Sequence, residues 1–130
     1  MCATQPELQS LLAIASRREV CPTDILFVQG DEPAGVYIVC SGRLRLFIRN
    51  PVTGVITFDR TVDSGNLLGL PAVFGDKPYS MSAEVLEHAE VAFISRPKFL
   101  ELMQKDGQLC MRCLQLLSDE VRIARQAIGD

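Results

Sequence analysis

The 130 residues predict a mainly β protein with flanking helices. The expected fold is a double-stranded β-helix, or jelly-roll barrel, between a short N-terminal helix and a long C-terminal one. Three observations carry that expectation. Short β-type runs separated by turn residues fill the middle of the chain. Helical spacing of apolar residues is confined to the two ends. The composition, 48% hydrophobic and 22% charged, is that of a globular core rather than of a disordered chain. At this length a single domain over 1–130 is expected, with the barrel over about 17–95 and C-terminal helices over about 96–128.

Thr4 followed by Glu7 is a capping-box pattern, and Leu8, Leu11, Leu12 and Ala15 follow at helical spacing. This predicts a helix over about 5–15. The β-type runs then cover 25–28, 36–40, 43–49, 55–62, 82–86 and 91–94. Between them lie Gly30-Asp31, Ser41-Gly42, Asn50-Pro51 with Gly54, Ser64-Gly65, and Gly75 through Pro78. Glu87-His88-Ala89-Glu90 reads as a turn between two strands. Pro97 suits the first turn of a helix from about Arg96 to Lys105, and Asp106-Gly107 breaks it.

The final helix is expected over about 108–128. Cys110, Leu114, Leu117, Val121, Ala124 and Ile128 form a continuous seam at alternating steps of four and three. Leu109, Cys113, Leu116 and Ile123 make a second apolar stripe. Two stripes on one helix either both pack on the barrel or serve two partners, the barrel and another chain. A terminal helix of this length offers a barrel one face, so a homodimer through the seam is expected.

Thirteen basic against 16 acidic residues leave a net charge of −3, whereas a domain that binds DNA alone is usually basic. One histidine, His88, cannot build a two-histidine metal site. Cys110 and Cys113 are spaced as C-x2-C, but inside a helix that spacing serves packing equally well. Cys2, Cys21 and Cys40 complete an odd set of five, read as free thiols. No phosphate-loop, dinucleotide or nucleophile-elbow string occurs, so no catalytic residues and no metal site are expected. Arg43, Arg45 and Arg49 share one face of a strand and read as its polar side. No run approaches a membrane span, and the N-terminus has neither the basic start nor the apolar run of a signal peptide; a cytoplasmic location without membrane contact is expected.

Three stretches resemble the cyclic nucleotide-binding domain, and within it the bacterial catabolite-activator/fumarate-nitrate-regulator transcription factors. They are Phe27-Val28-Gln29-Gly30-Asp31, Gly35 through Gly42 (GVYIVCSG), and Gly65-Asn66-Leu67-Leu68-Gly69. The stretch from Gly65 to Ala83, with Phe74-Gly75 and Pro78-Tyr79-Ser80, is similar to that family's phosphate-binding cassette. There a glycine-containing loop entering a short helix aims backbone N–H groups at an anion. The resemblance implies a pocket at Gly65, Asn66, Leu67, Leu68, Gly69, Leu70, Val73, Phe74, Met81, Ser82 and Ala83.

The sequence departs from the family where the ligand is held. The family places a glutamate for the ribose hydroxyl directly after the second glycine, and an arginine for the phosphate before the Ser/Thr-Ala pair. Leu70 and Met81 stand at those positions, and no arginine lies between Thr61 and Ser95. Burying a phosphate against Leu70 and Met81 would cost several kcal/mol. Cyclic nucleotide binding in the usual mode is therefore not expected, and no cofactor is assigned. The apolar cassette residues either fill the barrel mouth or line a site for a neutral or apolar ligand, an effector the sequence does not identify.

These readings describe an effector-sensing and dimerisation domain of a transcription regulator. In the family, DNA is read by a helix-turn-helix domain that follows the long helix, and the chain stops at Asp130, where it would begin. The alternative is a stand-alone cyclic nucleotide-binding module that regulates a partner protein.

Overall fold

The computed structural model describes residues 5–127, with side chains for 9–118. Helix α1 (Gln5–Leu12) leads into strands β1 (Ser16–Val20), β2 (Ile25–Phe27), β3 (Gly35–Arg49), β4 (Ile56–Val62) and β5 (Leu67–Leu68). The six-residue helix α2 (Leu70–Gly75), strand β6 (Ser82–Ser95) and helices α3 (Arg96–Lys105) and α4 (Gly107–Ala127) follow. The architecture is the expected jelly roll with helices at both ends.

Two long strands organise it. β3 takes up the expected runs 36–40 and 43–49, β6 takes up 82–86 and 91–94, and the two pair antiparallel along their length. β1 and β5 flank the half where Gly35–Val39 meets Val91–Ser95, while β2 and β4 flank the other half. The halves join at Gly42, whose φ is 87°. A Cβ on Gly42 would lie 2.5 Å from both the Ala89 Cβ and the His88 carbonyl oxygen. The ladder slips register on both sides of this point, so the strands bend as one piece. The stretch 87–90 is thus a bulged part of β6 and not the expected turn. Ala89 is fully buried there, and His88 stays exposed with Nε2 3.6 Å from Glu19. Gly42→Ala forces a side chain into that contact at a left-handed φ. It is expected to lower stability by more than about 2 kcal/mol, read as an earlier urea midpoint at constant m.

Other differences have local causes. α1 ends at Leu12 and not at 15, because Ile14 and Ala15 donate to Leu11 and Leu12 in tighter three-residue turns. β1 escapes the sequence pattern because four of its five residues are exposed and only Val20 enters the core. α3 occupies the expected span. Asp106 both closes α3, donating its N–H to the Leu102 carbonyl, and caps α4, accepting from the Leu109 N–H at 3.0 Å.

The apolar run Val36–Val39 is continuous because both its faces are covered. Tyr37 and Val39 enter the barrel interior with Phe27, Leu44, Leu46, Ile48, Leu68 and Met81. Val36 and Ile38 face a second core with Leu11, Leu67, Leu70, Phe99, Leu109 and Leu116, where the helices pack on the outside of the roll. The arginine face of β3 looks outward. Arg45 forms a bidentate pair with Asp59 at 2.8 Å, and its guanidinium lies 4.7 Å from the Phe47 ring centre. Hydrogen bonding to Arg45 holds the Asp59 carboxyl below its ordinary range.

Candidate functional site

The cassette-like stretch begins with Gly65 at φ 92°, donating to the Val39 carbonyl at 2.9 Å. Asn66 is buried, and its Nδ2 donates to the Asp63 carbonyl at 3.0 Å, which closes the turn. Gly69 then takes φ 93° as the N-cap of α2. A Cβ there would approach the Tyr79 ring to 3.0 Å and the Gly35 carbonyl oxygen to 3.1 Å. Pro71 removes one amide donor from the first turn of α2, and no side chain caps it. Arg96 closes the other end, donating from Nε to the Val73 carbonyl at 3.0 Å.

The structure divides the eleven pocket residues expected from the sequence. Leu68, Met81 and Ala83 belong to the barrel interior. Leu67, Leu70, Val73 and Phe74 pack in the outer core, where Phe74 meets Phe99 edge to face at 5.5 Å between ring centres. Alternation along β5 sends Leu67 and Leu68 to opposite sides, and the turn of about 100° per residue along α2 directs Leu70, Val73 and Phe74 to the outer core. Ser82 is buried and accepts a hydrogen bond from the Gln29 N–H at 2.9 Å. The position where the family carries its glutamate, Leu70, is therefore fully buried against the helices and does not line the barrel.

Tyr79, absent from the expected set, occupies the inside of the barrel mouth. Its ring stacks on Phe27 with centres 4.2 Å apart and planes 24° from parallel. Phe27 in turn stacks on Tyr37 at 5.7 Å. The Tyr79 hydroxyl donates to the Gly35 carbonyl at 2.7 Å and accepts from the Gly35 N–H at 3.1 Å. Burial pushes the Tyr79 phenol up, so it stays protonated and able to donate. The backbone on either side is pinned as well, with Tyr79 N–H to the Asp31 carbonyl and Gly30 N–H to the Tyr79 carbonyl. What remains is a cavity of about 10 Å³ lined by Phe27, Leu46, Leu68, Ala72, Tyr79, Met81 and their neighbours. That is room for roughly one water molecule. Tyr79 fills this space, Leu70 packs on the other side against the helices, and Met81 stands as an apolar residue of the barrel interior. A larger open groove, about 510 Å³, lies elsewhere, between residues 13–16 and α3, and shares no residue with the cassette.

A second residue missing from the expected set is Arg60. On β4 it pairs directly with Leu46 of β3, and directly paired residues project from the same face of a sheet. Leu46 lines the cavity, so Arg60 starts from the core side in step with Phe58 and Val62. The alternation of residues 56–62 carries this information, but a charged residue in step with apolar ones is easily assigned to the surface.

On α4, Leu109, Cys113 and Leu116 are buried in the outer core, and Cys110 and Leu117 are partly buried against it. Cys110 and Leu117, expected at the seam, are thus covered on one side by their own chain and keep part of their surface open. Among the described side chains of α4, Met111 (60% exposed) and Leu114 (40% exposed) are the large apolar residues in solvent. The side chains of Val121, Ala124 and Ile128 lie outside the described residues. Among the described residues Cys21, Cys40, Cys110 and Cys113 form no disulfide, and burial pushes the Cys40 thiol up. Among the described residues no group of three or more His, Cys, Asp or Glu is placed to hold a metal, and no helix is long and apolar enough to cross a membrane.

The family model of the cyclic nucleotide-binding domain matches residues 17–106. The solved structure of the Thermus thermophilus catabolite activator protein superposes with a TM-score of 0.79 at 25% identity, covering 96% of this chain and 58% of that one. The anaerobic regulatory protein of Bacillus subtilis is 26% identical over 95% of this chain and 52% of its own length. A potassium channel of Oryza sativa is also 26% identical, over 83% of this chain and 22% of its own length. This chain thus spans about half or less of the curated relatives it matches. The match to the family model covers well over half the sequence, and the roll, the turn at Gly65–Gly69 and α2 account for it structurally: the chain belongs to the cyclic nucleotide-binding domain family.

Proposed function

We propose that this chain is the effector-sensing and dimerisation domain of a catabolite-activator-type transcription regulator, and that it does not take cyclic AMP or cyclic GMP in the family's usual mode. The role is regulatory and not catalytic, and its place is the cytoplasm. DNA would be read by a helix-turn-helix domain outside the 130 residues. The observation that carries the reading is Tyr79, which fills the barrel mouth and is tied to Gly35 by both its hydroxyl hydrogen bonds. Gly35 follows Ala34, whose carbonyl accepts the first N–H of α3 from Arg96 at 3.0 Å. A ligand that moved Tyr79 would therefore act at the root of the helical layer, which is how occupancy could bias helix geometry.

A thermal-shift screen tests the reading. A ligand at a thousand times its dissociation constant stabilises by about 4 kcal/mol. Cyclic AMP and cyclic GMP at millimolar concentration are expected to leave the melting temperature unchanged; a clear rise would contradict the proposal. Dimerisation has its own test in Leu114, which is exposed on α4 and separable from the fold, unlike Leu117. Sedimentation is expected to show a dimer for the parent and a folded monomer for Leu114→Asp, because the interface would bury an unpaired charge. A parent that is monomeric at tens of micromolar would remove the dimer from the proposal.

A further inference from the structure

We propose that the barrel mouth is a binding site for a single-ring aryl acid, a carboxylate or a phosphate monoester, with Arg60 as the cation that receives the acid group. This inference rests on the sensing role proposed above and names the ligand class of that same site. Arg17, Arg43, Arg45, Arg49 and Arg96 all have hydrogen-bond or ion-pair partners. Arg60 is partly buried and, among the described residues, its side chain makes no ion pair or hydrogen bond. Its neighbours on the same face are apolar: Leu46 across the ladder, Ala83 beyond Leu46, and Phe58 and Val62 along β4. A partly exposed guanidinium rooted beside such residues, with no counter-charge of its own, is available to an anion that approaches from the barrel mouth.

The cation stands on a different strand from the arginine of the family's cassette, so it does not restore the usual phosphate site. Its partner across the ladder, Leu46, shares the lining of the small cavity with Tyr79 and Met81. The cavity, about 10 Å³, admits no ring while Tyr79 is in place. The space that Tyr79 would vacate is that of one aromatic ring between Phe27 and the cassette, which sets the size and apolar character of the ligand body. A planar guanidinium suits the two or three oxygens of a carboxylate or phosphate. Binding of such an acid is thereby coupled to release of the Tyr79–Gly35 hydrogen bonds.

The test is an amide NMR titration of the whole chain with sodium phenylacetate, sodium phenyl phosphate, neutral phenylacetamide and inorganic phosphate. At least one aryl anion is expected to saturate, shifting the amides of Gly35, Leu46 and Arg60, with phenylacetamide at least about tenfold weaker. The two aryl anions distinguish a carboxylate from a phosphate ligand, and inorganic phosphate shows what the charge achieves without the ring. Arg60→Gln is expected to weaken the aryl anion at least about tenfold and Arg60→Lys less, with a native-like spectrum in each. Absence of saturation by either aryl anion at millimolar concentration, or equal binding by the parent and Arg60→Gln, would overturn the proposal. Should Arg60→Gln not fold, equal binding of phenylacetamide and phenylacetate by the parent would do the same. Cyclic AMP in a parallel titration separates the two readings: micromolar binding shared by the parent and Arg60→Gln contradicts the proposed function and leaves the aryl-acid result to stand or fall alone.

Discussion

Leu70→Glu is expected to unfold the protein rather than to create a ribose contact. The family's glutamate position faces the helices here, and Leu70 is fully buried among Leu11, Val73 and Phe99. A carboxylate at that place has no described cation beside it, so the change is expected to cost more than about 4 kcal/mol, a large share of a typical stability of about 5–15 kcal/mol. Adding Met81→Arg is not expected to rescue it. Met81 belongs to the barrel interior and Leu70 to the outer core, so the introduced charges lie on opposite sides of the sheet layer and do not pair. Loss of the cooperative urea transition in Leu70→Glu, with and without Met81→Arg, is the expected result. A folded double variant that gains micromolar affinity for cyclic AMP would show that the cassette can adopt the family's geometry after all.

Tyr79→Ala has the second largest expected effect. It deletes a ring stacked on Phe27 and two hydrogen bonds to Gly35, and large aromatic truncations in cores cost about 3–5 kcal/mol. Tyr79→Phe keeps the ring and is expected to lose only about 1–2 kcal/mol, through the orphaned Gly35 groups. The alanine variant should also acquire a ring-sized void, so phenol at millimolar concentration is expected to raise its urea midpoint and leave the parent's unchanged. Equal stability of parent and alanine variant would mean that Tyr79 does not close the barrel.

The sequence carried the roll and its helices well because both obey simple periodicities. The turn glycines and the apolar runs of β3 and β6 are local features, and α3 announces itself through Pro97 and the Asp106-Gly107 break. The bend at Gly42 is harder to read. Two paired strands that bend together at a bulge look like four strands with turns until the pairing of Ser41 with Glu90 and Arg43 with Glu87 is known. β1 was hidden for a different reason: an edge strand whose residues are mostly exposed lacks the alternation that marks a half-buried one.

The site was less legible than the fold. Its residues lie close together in sequence, yet β5 and α2 send Leu68 and Leu70 to different cores, and no spacing rule distinguishes an apolar residue facing one core from its neighbour facing another. Tyr79 lies within the cassette-like stretch, but its role depends on Phe27 and Gly35, some 50 and 44 positions away in the chain. Arg60 directly precedes Thr61, outside the arginine-free stretch that contains the cassette. Its place on the core face follows only from the ladder with Leu46.

In the function proposed above, Tyr79 keeps the barrel closed and cyclic nucleotides do not open it. Nuclear Overhauser contacts from the Tyr79 ring to the Phe27 ring and the Gly35 amide, recorded with and without millimolar cyclic AMP, test it most directly. Strong contacts that persist unchanged on adding the nucleotide are the predicted result. Their absence from the free protein, or their loss in step with saturation by cyclic AMP, would contradict it.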